Sequence, residues 1–111
     1  MKIKPNYCKV SSALSILVGK WKPIILLYLI SQGTMRYGEL KKVLVNVTPK
    51  MLTSQLRELE EDGIINRKVY PEVPPKVEYS MTDYGMTLKP ILVAMHDWGT
   101  KHQIKKSKNV I

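Results

Sequence analysis

Apolar positions follow a helical period from residue 11 as far as residue 62. They then alternate through two short runs and return to helical spacing at the end. Residues 1–10 show no clear periodicity and read as an arm. Ser11 and Ser12 are suited to capping a short helix through Val18, with Ala13, Leu14, Leu17 and Val18 as its apolar side and Gly19 as its stop. Pro23 suits the first turn of a second helix that Gly33 ends. Its run Ile24 to Ile30 is apolar nearly all round, which predicts the buried centre of the fold. A third helix is expected from Arg36 to Leu44, with Tyr37, Leu40, Val43 and Leu44 inward and Glu39, Lys41 and Lys42 outward. Val45, Asn46 and Val47 make a turn. Thr48 and Pro49 are an N-cap and a first helical residue, and the fourth helix they open runs to about Asp62, with Gly63 as its stop. Leu52, Leu56 and Leu59 form its buried stripe.

Residues 65–70 and 76–81 read as two strands. Val77, Tyr79 and Met81 alternate with Lys76, Glu78 and Ser80. The link Pro71-Glu72-Val73-Pro74-Pro75 holds too much proline for a ladder and makes a stiff protruding tip. Thr82 and Asp83 open a long last helix to about Gln103, lined on one face by Leu88, Ile91, Leu92, Met95 and Trp98. Pro90 lies well inside that pattern and predicts a kink.

Helix, three-residue turn, helix and proline-tipped hairpin together describe a winged helix-turn-helix. The chain is a single domain, mainly α with a small β-hairpin: a helix-turn-helix over 36–62, a wing over 65–81, a last helix over 82–103 and a basic tail over 104–111. A helix that enters a major groove must carry donors on its outer face. Lys50, Ser54 and Arg57 fall on that face at i, i+4 and i+7, with Thr48, Pro49 and Thr53 beside them. Acids collect at the other end of this helix, as Glu58, Glu60, Glu61 and Asp62, so its N-terminal half is the half that can approach phosphate. The wing adds Arg67, Lys68 and Lys76 around the rigid tip; the bland reading is a solvated hairpin that binds nothing. Lys20 can meet phosphate or a partner subunit, with Trp21 in the core. Arg36 can contact the DNA backbone or pair with an acid such as Glu39.

Charge strengthens this picture. Lysine and arginine number 18 against 9 acids, a formal charge of +9. Residues 1–23 and 101–111 contain lysine and no acid, while the segment between is neutral. Basic ends suit a polyanion, and nucleic acid is the commonest one in a cytoplasm. The longest apolar run is far short of the roughly 18 residues that span a membrane, and the N-terminus has no apolar signal core. The expectation is a cytoplasmic protein with no membrane partner. The single cysteine, Cys8, excludes an internal disulfide framework.

In this order the chain carries Cys8, Gly19-Lys20-Trp21, Arg36-Tyr37-Gly38-Glu39-Leu40, Lys50-Met51-Leu52-Thr53, Leu56-Arg57-Glu58-Leu59-Glu60 and Asp62-Gly63-Ile64-Ile65. Val77-Glu78-Tyr79-Ser80-Met81-Thr82, Tyr84-Gly85, Leu88-Lys89-Pro90 and Trp98-Gly99 follow. No single piece is specific, but the ordered set over residues 8–99 resembles the HxlR-type transcriptional regulators, close to the MarR-like winged-helix proteins. The resemblance implies a homodimeric DNA-binding regulator with a recognition helix at 48–62, a wing at 66–81 and dimerisation through the first and last helices. The length of the last helix supports the same point: its stripe exceeds what one small domain covers. Expected interface residues are Leu14, Leu17, Leu88, Ile91, Leu92, Met95 and Trp98. The competing reading folds the stripe back on its own domain. A two-fold dimer sets its recognition helices roughly 34 Å apart on a near-palindromic double-stranded operator.

Relatives that sense oxidants or electrophiles share a cysteine in this region. Cys8 lies near Lys9 and a helix start, both of which favour thiolate. It reads as a sensor whose oxidation or alkylation changes operator affinity, or else as a small buried apolar residue. Many relatives carry proline after this cysteine, where this chain has Lys9. An oxidant or a small-molecule effector is the corresponding partner. No cofactor is implied. His96 and His102, six apart on one helix, fall on opposite faces and do not suggest a shared metal. No catalytic constellation can be placed, so an enzyme is not expected. Two other classes remain as alternatives: a winged-helix protein-interaction module without specific DNA binding, and a nonspecific basic nucleic-acid-binding protein.

Overall fold

The computed structural model describes residues 9–17 and 19–109. Among these residues six helices and three strands follow in the order α1 (Val10–Leu17), α2 (Trp21–Gln32), β1 (Met35–Arg36), α3 (Tyr37–Val43), α4 (Pro49–Glu61), β2 (Ile65–Tyr70), β3 (Lys76–Met81), α5 (Asp83–Met86) and α6 (Lys89–Asn109). The core gathers residues at helical spacing from several elements. Ile25, Leu26 and Leu29 of α2 meet Leu40 and Leu44 around α3, and Leu52, Leu56 and Leu59 of α4. Met35, Ile65 and Tyr79 close it from the sheet. No single helix among the described residues is long and apolar enough to cross a membrane.

Helix α4 is bounded by chemistry visible in its sequence. The Thr48 hydroxyl accepts the Met51 N–H at 3.1 Å, and Pro49 occupies the first turn where no donor is missed. At the far end Gly63 takes φ +75°, its N–H reaching the Glu60 carbonyl while the Ile64 N–H reaches that of Leu59. This left-handed stop satisfies the last carbonyls and turns the chain directly into β2. Both long strands keep the limits set by their alternation. They pair antiparallel in the register Ile65↔Met81 through Tyr70↔Lys76.

Several expectations are corrected. Met35–Arg36 forms a third strand on the other edge of β3, in the order β1-β3-β2, where no strand was expected. Two residues carry no period of their own, and they are extended because Tyr79 and Glu78 pair with them. Helix α1 starts at Val10, ahead of Ser11 and Ser12, which therefore do not cap it. Of its expected apolar side, Leu17 is buried, Ala13 and Leu14 are exposed, and Val18 lies outside the described residues. In α3, Val43 faces solvent rather than the core. The last helix is two helices. Thr82 does cap a helix, accepting the Gly85 N–H at 2.8 Å, but α5 ends after one turn. A new helix starts at Lys89, so Pro90 lies in a first turn, where it is tolerated, and not at an internal kink. That helix runs on through most of the expected tail, to Asn109.

The shape reflects α6. The radius of gyration is 16.5 Å, against about 13 Å for a compact domain of this length. Leu88 and Leu92 anchor the start of α6 in the core, and the rest of it projects.

Candidate nucleic-acid interface

Helices α3 and α4 meet through the turn at Val45-Asn46, where Asn46 takes φ +76°, a conformation asparagine tolerates. Burial of Leu52, Leu56 and Leu59 fixes the rotation of α4 about its axis. Thr48, Pro49, Lys50, Thr53, Ser54 and Arg57 are thereby all left exposed. They share one continuous surface: a shallow groove is lined by Pro49, Lys50, Thr53, Ser54, Arg57, Glu58 and Glu61. The hydroxyl of Thr48 is committed to its capping bond, so what it offers a ligand is mainly the start of the helix.

Two supports of this helix escaped the reading of the sequence. The Tyr37 hydroxyl, on α3, donates to the Pro49 carbonyl at 3.4 Å and lies 3.5 Å from the Thr53 hydroxyl. Lys22, on α2, is buried, and its ammonium lies 3.3 Å from Glu58 on α4. The Gln55 amide donates to the same carboxylate at 3.2 Å. Glu58 thereby ties α4 to the core helix α2. Tyr37 and Lys22 lie far in sequence from their partners on α4, and no local spacing signals either contact.

The wing divides its charges between two faces. Along β2, Arg67 shares the side of Ile65, while Lys68 shares that of Tyr70; across the ladder Arg67 stands opposite Tyr79, and Lys68 opposite Glu78. Arg67 therefore lies on the α4 side, where Thr53, Arg57, Glu60, Arg67 and Tyr79 line a cleft of about 240 Å³. The other face carries a cluster centred on Tyr70. The ammonium groups of Lys68 and Lys76 lie 4.8 and 4.6 Å from its ring centroid, and Lys76 lies 3.4 Å from Glu78. The nearby Tyr70 hydroxyl, then Lys76 and Arg36, hold the Glu78 carboxyl below its ordinary pKa. Arg36 sits opposite Glu78 in the β1–β3 ladder. Glu39, the acid named as an alternative partner for its side chain, accepts the Arg36 backbone N–H at 2.9 Å. Lys20 is exposed and lies 4.8 Å from the ring centroid of the buried Trp21.

The residues expected at a subunit interface separate into two sets. Leu17, Leu88 and Leu92 are corrected to core residues, because they pack inside their own chain. Leu14, Ile91, Met95 and Trp98 remain exposed, Trp98 at 67%. The Trp98 ring stacks on that of His102, one turn on, with centroids 4.9 Å apart. Cys8, the expected sensor, lies outside the described residues.

Comparison with known proteins agrees with this architecture. The family model described as HxlR-like helix-turn-helix matches residues 16–107. YdeP of Bacillus subtilis strain 168, an uncharacterized HTH-type transcriptional regulator, is 50% identical over 101 residues, covering 91% of this chain and 78% of that protein. The redox regulator HypR in its reduced form superposes with a TM-score of 0.84 at 44% identity, covering 90% of this chain and 99% of HypR. The reduced form of the transcriptional regulator YodB from B. subtilis gives a TM-score of 0.72 at 34% identity, covering 87% of this chain and 91% of YodB. A match over nearly the whole described chain, in sequence and in fold, makes this protein a member of the HxlR-like helix-turn-helix family of transcription regulators.

Proposed function

We propose that the chain is a homodimeric, sequence-specific DNA-binding transcription regulator in which α4 enters the major groove. The observation that carries this reading is the outer face of α4. Its buried leucines turn Lys50, Thr53, Ser54 and Arg57 to solvent beside a wing bearing Arg67, with Glu58 and Glu61 confined to the C-terminal end of the same groove. Side-chain donors on a helix of groove width read base edges, and arginines and lysines around them hold phosphates. Lys20 and Arg36 are further backbone contacts, and Lys68 and Lys76 are contacts from the other face of the wing, Lys76 the weakest because Glu78 already offsets its charge. The dimer forms through Leu14 of α1 and Ile91, Met95 and Trp98 of α6. Its target is double-stranded DNA with a near-palindromic site.

The test is a salt-series titration of the purified protein on the DNA upstream of its own gene and on a scrambled duplex of equal length. A preference of about a thousandfold or more for the native sequence is the expected result. Equal, steeply salt-dependent binding to both would instead support a nonspecific basic protein. No binding at low salt would support a protein-interaction module.

A signal through Cys8 belongs to this proposal. It is supported by the HypR likeness, since that protein is a redox regulator solved in oxidised and reduced forms, and by the lysines around Cys8 in the sequence. With one cysteine per chain, a reversible disulfide joins two subunits or captures a small thiol. A Cys8→Ser protein whose operator affinity responds to oxidants as the wild type does would refute it.

A further inference from the structure

Arg57 is the one basic residue of α4 that borders two surfaces. It lines the outer groove with Lys50 and Ser54, and it lines the cleft toward the wing with Thr53, Glu60, Arg67 and Tyr79. Arg67 comes to that cleft from the root of the wing, because strand alternation puts it on the side facing α4. The Tyr79 ring, 7% exposed, forms part of the lining. Among the described residues, no carboxylate lies within 4.0 Å of either guanidinium. The two arginines and Glu60 leave the cleft one positive charge in excess. One phosphodiester carries one negative charge, and it closes that balance.

The place of the cleft identifies the phosphodiester. A helix in a major groove and a wing reaching the adjacent minor groove are separated by one sugar-phosphate strand. In that docking geometry the strand passes between α4 and the root of the wing, over the cleft. Resting on the DNA-binding reading above, we infer that Arg57 and Arg67 hold a single backbone phosphate between them in this cleft. Arg57 then fixes the register of α4 on the duplex without reading a base. Sequence reading falls to Lys50, Thr53 and Ser54. Guanidinium suits this task, because its planar donor fork matches two phosphate oxygens.

The experiment uses the full-length protein and a duplex that the wild type selects from a randomised 30-base-pair pool. Arg57→Ala, Arg67→Ala and the double variant are titrated on that duplex and on its complete set of single base-pair substitutions. Both residues are exposed, and circular dichroism checks that each variant is folded. Each single variant is expected to weaken binding by about tenfold on every duplex alike, and the salt slope is expected to fall by about one in total when both arginines are removed, because one phosphate is involved. The double variant is expected to lose far less than the product of the two single losses, because one phosphate serves both arginines. Replacing that phosphate by a neutral methylphosphonate is expected to weaken the wild type and to leave the double variant unaffected. Loss of preference at one base pair in Arg57→Ala, or independent losses in the double variant, would overturn the shared clamp while leaving the regulator reading intact. Failure of the wild type to enrich any sequence would overturn the regulator reading itself, and the clamp with it.

Discussion

The ion pair between Lys22 and Glu58 makes a prediction with an unusual asymmetry. The side chain of Lys22 is 7% exposed and that of Glu58 51%. The two ends of one interaction therefore stand in different solvents. Replacing Glu58 by alanine leaves an ammonium that water barely reaches and removes its partner at 3.3 Å. Breaking a fully buried pair in this way costs about 3–5 kcal/mol. Here half the carboxylate is already hydrated and the attraction is correspondingly screened, so the expected loss is about 2 kcal/mol. Replacing Lys22 by methionine does the opposite. It removes the desolvated charge, keeps most of the volume, and leaves Glu58 free to hydrate, so the expected change is within about 1 kcal/mol. Urea denaturation reads both values, at one fixed protomer concentration because dimerisation adds to apparent stability. A Lys22→Met protein destabilised as much as Glu58→Ala, or more, would refute the argument that burial at the lysine end sets the cost.

Further expectations follow from single features of the fold. A Cβ at Gly85 would overlap the backbone carbonyl of Ile64, where α5 crosses the start of β2; Gly85→Ala is expected to cost more than about 2 kcal/mol in the same denaturation assay. Trp98→Ala removes an exposed ring and no core contact, so it is expected to shift sedimentation from dimer to monomer at micromolar concentration with helical content preserved. The Glu78 carboxyl is held below its ordinary pKa in the folded wing, so it contributes stability above its unfolded pKa, and that contribution is lost as pH falls through the lower folded value. Glu78→Gln is expected to flatten the acid limb of the stability profile in that window; an unchanged acid limb would contradict the wing cluster.

The parts of this fold that were legible in the sequence are those whose signals are local. Thr48-Pro49 and Gly63 marked the ends of α4 because a cap, a proline and a left-handed glycine act within one turn. The strands at 65–70 and 76–81 could be read from alternation alone. What was missed depends on contacts between distant residues. Strand β1 exists through its pairing with β3, and the Lys22–Glu58 tie joins helices whose partners are 36 positions apart. Pro90 was ambiguous because proline inside a helix and proline in a first turn look the same until the end of α5 is known. In the candidate site, the exposed face of α4 was read from its spacing. The wing was only half read, since the basic residues near its tip gave no hint that Arg67 and Lys68 serve opposite faces. The apolar stripe of the last helix likewise ran core and surface together: Leu88 and Leu92 turn inward while Ile91, Met95 and Trp98 do not.

Methylation protection at guanine N7 on the selected duplex tests the central claim most directly, because N7 lies in the major groove. Insertion of two α4 helices from one dimer predicts two protected patches about one helical turn apart, roughly 34 Å, arranged with two-fold symmetry. They should be lost together when Lys50 and Ser54 are both replaced by alanine. Binding that leaves every N7 open to methylation, or a single protected patch per bound dimer, would contradict the account.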